Sequence, residues 1–315
     1  MLGFSNLPDY DENFSVFLYP GSTLYQIWRK PKNANLIAFY CVGGGGGGTG
    51  GGSSAAGGTG GAGGGGASYA FTFYPSFAIP DNLYVLVGKG GAGGSGTLNV
   101  QLGVSGGAGE ISYVSITQNI ATTPNILVRS SNAAAGGGTG ATGGIAGTVW
   151  TVSSNLMPRY ANSSVYASQA GGAGGATPGS ITPTRMTTGG AGGGNGSTSA
   201  AVAGGNITAT GYVPLISGGA ATGQSAQEGF NSIELRNGIL LSNTICGPEM
   251  GMIFTGGAGG GGTSIVGGNG GSGGNGSYGS GGGGGGGARY DSATLSGRGG
   301  QGGNGGDGFV IIISR

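Results

Sequence analysis

The run Gly270-Gly271-Ser272-Gly273-Gly274 has the G-x-S-x-G form of a nucleophile elbow, where a serine hydroxyl attacks an acyl carbon. That chemistry needs a base to take the hydroxyl proton, and the chain contains no histidine. With 86 glycines in 315 residues, such a match arises by composition alone. Several G-x-G-x-x-G matches are equally uninformative, since none opens a helix with an acidic residue suitably placed downstream. Gly88-Lys89-Gly90 begins like a phosphate loop but lacks the Ser or Thr that would reach magnesium. Asp9, Asp11 and Glu12 are the clustered acids, without the alternating ligands and terminal bidentate Glu of a calcium loop, so they are expected on a solvated arm. Arg29-Lys30-Pro31-Lys32 is the basic cluster, and with Pro31 ending a strand it reads as a solvated turn rather than an anion site. Nothing in the sequence sets two carboxylates across a cleft for glycoside hydrolysis. No enzyme is expected, and no catalytic residue, metal ligand set or cofactor is assigned.

Without catalysis, the chemistry that remains is recognition. Two stretches combine aromatic rings with short amides and hydroxyls: residues 148–170, with Trp150, Arg159, Tyr160 and Tyr166, and residues 288–296, with Arg289 and Tyr290. Rings on a rigid scaffold supply contact area at low entropic cost, so these six residues are the candidate receptor-binding set. The same rings would equally serve to cover the ends of a scaffold or a neighbouring sheet.

The elements that would position them are limited by composition. Glycine exceeds a quarter of the chain against an average near 7%, which excludes long helices, because each glycine costs roughly 1 kcal/mol relative to alanine in a helix interior. Charged residues are 7% of the chain, 11 basic against 10 acidic, so no field steers nucleic acid or holds an anionic membrane. No apolar run approaches the ~18 residues of a membrane span, and the opening residues 1–10 lack the basic and apolar regions of a signal peptide, so a chain not secreted by the general pathway is expected. Cys41 and Cys246 each sit in a short apolar run and are expected to be buried and free.

Between the glycine tracts lie short apolar segments of β character: 14–19, 36–42, 83–87, 98–104, 111–116, 126–128, 149–152 and 309–313. The near-continuous apolar run 309–313 cannot be left as an open edge, and is expected to be a buried strand paired with 36–42. Fixing each glycine costs roughly 1–2 kcal/mol with no side chain to bury in return, so the tracts need another source of stability. Collagen is excluded, because 43–48 and 281–287 are unbroken glycine and proline totals only 11. Single-chain rods with a three-residue repeat, lying side by side and hydrogen-bonded laterally, satisfy the backbone, and the tracts supply about a dozen of them.

Three stretches carry a family resemblance: Ile27-Trp28-Arg29-Lys30-Pro31 followed by Leu36 to Gly48; Ile79 to Gly94; and the ending Gly302 to Ile313. They resemble the glycine-rich, polyglycine-bundle domains of bacteriophage and giant-virus virion proteins, among them the tip adhesins of phage tail fibres. The resemblance implies an all-β chain with polyglycine II: a small jelly-roll-like β-sandwich fused to a packed bundle of polyglycine helices, with almost no α-helix. The division expected is an N-terminal arm, 1–13; a mainly β-sandwich part with the first rods, 14–134; a bundle, 135–308, with loop insertions at 148–170 and 226–255; and a closing strand, 309–315. It further implies a virion location, with other virion proteins and a host-surface glycan or outer-surface protein as partners, no nucleic acid, no membrane insertion, and room for a homo-oligomer. A capsid-associated decoration or minor capsid protein is the alternative role.

Overall fold

In a computed structural model the chain is described at residues 13–22, 24–118, 125–131, 133, 142–148, 162–210, 213–229 and 253–315. None of these residues is in an α-helix, and 3₁₀ conformation occurs at Ser76–Ala78 and at Asn125. The regular structure is nearly all β.

Eleven strands form among the described residues: β1 (Asn13–Leu18), β2 (Gln26–Arg29), β3 (Leu36–Val42), β4 (Ser53–Ser54), β5 (Tyr69–Pro75), β6 (Asn82–Leu86), β7 (Tyr113–Ser115), β8 (Ile126–Arg129), β9 (Asn162–Tyr166), β10 (Ala288–Arg289) and β11 (Phe309–Ser314). β3 forms because seven apolar, largely β-branched or aromatic residues run between Asn35 and Gly43. It lies at the centre of a five-stranded sheet of order β1-β11-β3-β5-β9. β11 pairs antiparallel with it, Ile312 opposite Phe39 and Val310 opposite Cys41, which is the partner expected of the closing run. A four-stranded sheet of order β2-β6-β7-β8 packs against this one. Phe39, Cys41, Val310 and Ile312 from the first sheet meet Trp28, Leu83, Val85, Val114 and Val128 from the second in one buried cluster. Each large apolar side chain fully buried there contributes about 1.5–3 kcal/mol.

The glycine tracts begin and end on these strands. Residues 43–52 leave β3, 57–67 enter β5, 88–96 leave β6, 103–112 enter β7, and 297–308 enter β11. They are laterally bonded with a period of three, as the central segment 281–288 illustrates. Its N–H groups donate in rotation to three neighbours: Gly282, Gly285 and Ala288 to Gly46, Thr49 and Gly52; Gly283 and Gly286 to Gly274 and Gly271; Gly284 and Gly287 to Ala191 and Gly194. Its carbonyls accept in rotation from three more: Gly64, Gly61 and Gly58; Gly303 and Gly300; Gly257, Gly260 and Thr263. Six segments therefore surround one, and every backbone polar group between Gly282 and Gly287 is paired.

Such proximity explains the residue type. A Cβ on Gly283 would lie far inside van der Waals contact with the Ala258 carbonyl oxygen, and one on Gly48 would do the same with that of Gly283. At the bundle surface, where a neighbouring segment is missing, side-chain oxygens take its place. Gly93 donates to Asn304 Oδ1 at 2.8 Å, Gly90 to Asp307 Oδ1 at 2.7 Å and Gly60 to Asn195 Oδ1 at 2.8 Å.

Three local expectations change. Residues 98–104 do not form a strand: Leu98 makes a single bridge to Arg298, and the Thr97 hydroxyl donates to the carbonyls of Val100 and Leu102, winding the chain into a turn. β5 was not among the expected strands, although Tyr69, Phe71 and Phe73 alternate with Ala70, Thr72 and Tyr74 along it. Within the expected insertion 148–170, residues 162–166 add β9 to the edge of the larger sheet, because the free side of β5 offers them a ladder. Residues 149–152, expected as a strand, lie outside the described residues.

Candidate functional site

Every rod that leaves the sheets must turn back at its far end, and the turns there are hydrogen-bonded to one another. Ser53 donates its N–H to Val100 O at 2.7 Å, and its hydroxyl to the Gly297 carbonyl. Tyr290 N–H reaches Ser54 O at 2.9 Å, and Gly267 N–H reaches Arg289 O at 3.0 Å. Leu98 bridges Arg298, and Val266 bridges Arg289. The turns around 53–56, 97–102, 264–267 and 289–298 thus form one connected end face.

What this face presents is aliphatic. Leu295 is 67% exposed, Ile265 60%, Val100 53% and Val266 51%, with Leu98 and Leu102 also exposed. The rods beneath are packed backbone to backbone at glycines such as Gly51, Gly286 and Gly299, where a Cβ would meet a neighbouring carbonyl, and these side chains stand outward. Leu295 is held at φ 52°, a left-handed conformation that costs a residue of its kind about 1–3 kcal/mol. The turn carrying it is closed by reciprocal backbone bonds between Asp291 and Ser296. Inside that turn the Asp291 carboxylate accepts from Thr294 Oγ1 at 2.7 Å and Ala293 N–H at 2.9 Å, and these bonds hold its pKa below the ordinary carboxylate value.

The cations of the face are tied to backbone. Arg298 Nε donates to Gly96 O at 2.9 Å, and Arg289 Nη1 to Ser264 O at 3.4 Å. Both serve to knit turns together, and the exposed aliphatic side chains share the face with the exposed polar residues Asn99, Ser292 and Thr294.

Of the six candidate receptor-binding residues, Arg289 and Tyr290 stand together on this face, both half-buried. Tyr166 stands at the other end of the rods, on β9, with its ring stacked on Tyr69 at 4.8 Å between centroids and 14° between planes. There it packs against a cluster containing Tyr40, Val42, Phe254 and Phe309, on the face of the larger sheet opposite the smaller one. Trp150, Arg159 and Tyr160 lie outside the described residues. The six exposed aliphatics were missed from sequence. Position beside a glycine tract does not find them, because Ile207 lies within such a tract and is fully buried with Ile181 and Ile216.

Other reactive groups are engaged in structure. Ser272 sits within a rod whose flanking Gly271 and Gly273 bond laterally to Gly261 and Gln301, a geometry with no strand-to-helix elbow. Lys30 Nζ donates to the carbonyls of Ser76 and Ile79 and pairs with Asp81 at 3.2 Å. Cys41 is buried and free, and burial pushes its thiol up to about 12, with hydrogen bonding to Ser130 opposing the shift. Cys246 lies outside the described residues. Among the described residues no group of three or more Cys, Asp or Glu could hold a metal ion, and no helix is long and apolar enough to cross a membrane. The chain matches no protein-family model, and no curated protein is significantly similar to it in sequence.

Proposed function

We propose that the chain is a non-enzymatic virion protein of a phage tail or fibre, whose rod ends bind a molecule of the host surface. In this reading the laterally bonded tracts are polyglycine II helices, the two packed sheets are a jelly-roll-like sandwich, and the partners are other virion proteins and the host receptor. The observation that carries it is the end face: six exposed aliphatic side chains on short, interlocked turns at the far end of a rigid backbone lattice. Exposed apolar surface of this kind marks interaction sites, and a rigid support lowers the entropy lost on binding. The aliphatic character favours an apolar protein loop over a sugar, since a sugar is stacked on flat rings and Tyr290 is half-buried.

The experiment is competition. Purified protein added in excess to host cells should occupy the receptor and slow adsorption of the virus particles that carry the same chain. Unchanged adsorption at saturating protein would reject the reading.

A capsid-associated or decoration role is favoured by one observation. The Tyr166 ring is stacked into its own chain, as a purely structural protein would use it. In that case purified protein binds virus particles and leaves cells untouched.

A further inference from the structure

Among the described residues β1 and β2 are outer strands of the larger and the smaller sheet, without a partner on their free sides, and they lie on the same side of the molecule. Between them runs a groove of about 650 Å³ lined by Phe14, Ser15, Phe17, Ile27, Trp28 and Arg29, with Pro31 at its end. Trp28 Nε1 donates to Ser15 Oγ at 3.2 Å and joins the two walls, while Phe14 and Ile27 remain exposed. Phe14 lies opposite Ile313 and Arg29 opposite Asn82, at the strand ends pointing away from the rods. The groove is therefore remote from the aliphatic end face.

Outer strands are usually guarded by lysine, proline or a bulge, since their free N–H and C=O groups template further pairing. β1 reads Asn-Phe-Ser-Val-Phe-Leu and carries none of these guards. At the rim Arg29 is exposed and makes no hydrogen bond among the described residues, whereas the adjacent Lys30 is engaged by two carbonyls and Asp81. An unguarded edge, a groove of mixed polar and apolar lining with Phe14, Phe17 and Ile27 in its walls, and a guanidinium uncommitted among the described residues together fit one kind of ligand.

We infer that the groove receives an extended segment of another protein, alternately apolar and bearing one carboxylate, which adds as a strand to β1 and pairs its carboxylate with Arg29. A second copy is a poorer fit: two β1 strands paired about a two-fold axis bring Asn13 to Leu18, and β1 has no acid to meet Arg29. The inference is independent of what the end face binds.

The test uses the full chain with Trp150→Phe, which leaves Trp28 as the sole indole. The probe is a capped eight-residue peptide alternating valine with threonine and carrying one glutamate, compared with the same peptide carrying lysine. Trp28 fluorescence should report saturable binding at least tenfold tighter for the glutamate peptide. Arg29→Ala should make the two peptides equal, and Ile27→Ser, at a side chain already 57% exposed, should weaken both without unfolding the chain. Absence of saturable binding would overturn the proposal. So would discrimination that survives Arg29→Ala, or a concentration-dependent dimer dissolved by Ile27→Ser, which would assign the groove to a second copy.

Discussion

Val42 and Phe309 stand opposite each other in the larger sheet; the chain leaves Val42 into its first rod and enters Phe309 from its last. One residue pair thus closes a path of more than 260 residues and fixes the base of the bundle. Phe309, Val310, Ile311, Ile312 and Ile313 are all buried, and at about 1.5–3 kcal/mol each they contribute roughly 7–15 kcal/mol, comparable with the whole stability of a domain. Deleting residues 309–315 should abolish folding, seen as aggregation in size-exclusion chromatography and loss of the β signal in circular dichroism. A soluble truncate with an unchanged spectrum would contradict this closure.

The central rod should be intolerant of the smallest side chain. Gly283→Ala places a methyl group against the Ala258 carbonyl, with backbone rather than a flexible side chain as its neighbour, so the lattice must shift. Overpacking of this kind costs about 1–3 kcal/mol or more. Ser272→Ala, at a half-buried rod position, should change stability by no more than about 0.5 kcal/mol. Denaturant unfolding of the two variants side by side measures the difference.

Cys41 gives a pH signature. Its thiol has an ordinary value near 9 and is raised to about 12 by burial, so the folded state holds a proton that the unfolded state releases. Its contribution is complete below about pH 9 and is lost as pH rises toward 12, at up to about 1.4 kcal/mol per pH unit. Tyr40 and Tyr74, also raised by burial, act in the same direction from about pH 10. Cys41→Ala should therefore delay the alkaline loss of stability until the tyrosines begin to ionise, as followed by urea midpoints between pH 8 and 11. In a Cys246→Ser background, Cys41 should resist thiol reagents at pH 8 until the protein is unfolded.

The strands were legible where chemistry is local. Leu36–Val42 and Phe309–Ser314 are apolar runs bounded by small or polar residues, and both form where expected. Leu98, Val100, Leu102 and Val104 misled because their spacing of two mimics a half-buried strand. That spacing requires a neighbouring strand and a core, and the rod ends provide neither, so the same pattern becomes an exposed turn held by Thr97. The end face could not be read from sequence because Leu98, Ile265 and Leu295 are separated by up to about 200 residues and meet through the common length of the rods. Tyr166 was indistinguishable from Tyr290 in sequence, since both lie in polar stretches beside glycine. Only the pairing of β9 with β5 sends one of them to the base and leaves the other at the tip.

The proposed receptor-binding role rests on the aliphatic end face, and its most direct measurement is adsorption of virus particles carrying Ile265→Ser, Val266→Ser and Leu295→Ser together. All three side chains are at least half exposed, so the variant should fold with an unchanged melting temperature. If these residues anchor the receptor, their removal costs about 2 kcal/mol or more, weakens receptor binding by roughly 30-fold or more, and lowers the number of particles stably adsorbed. Wild-type adsorption by particles that carry the folded triple variant would contradict the account.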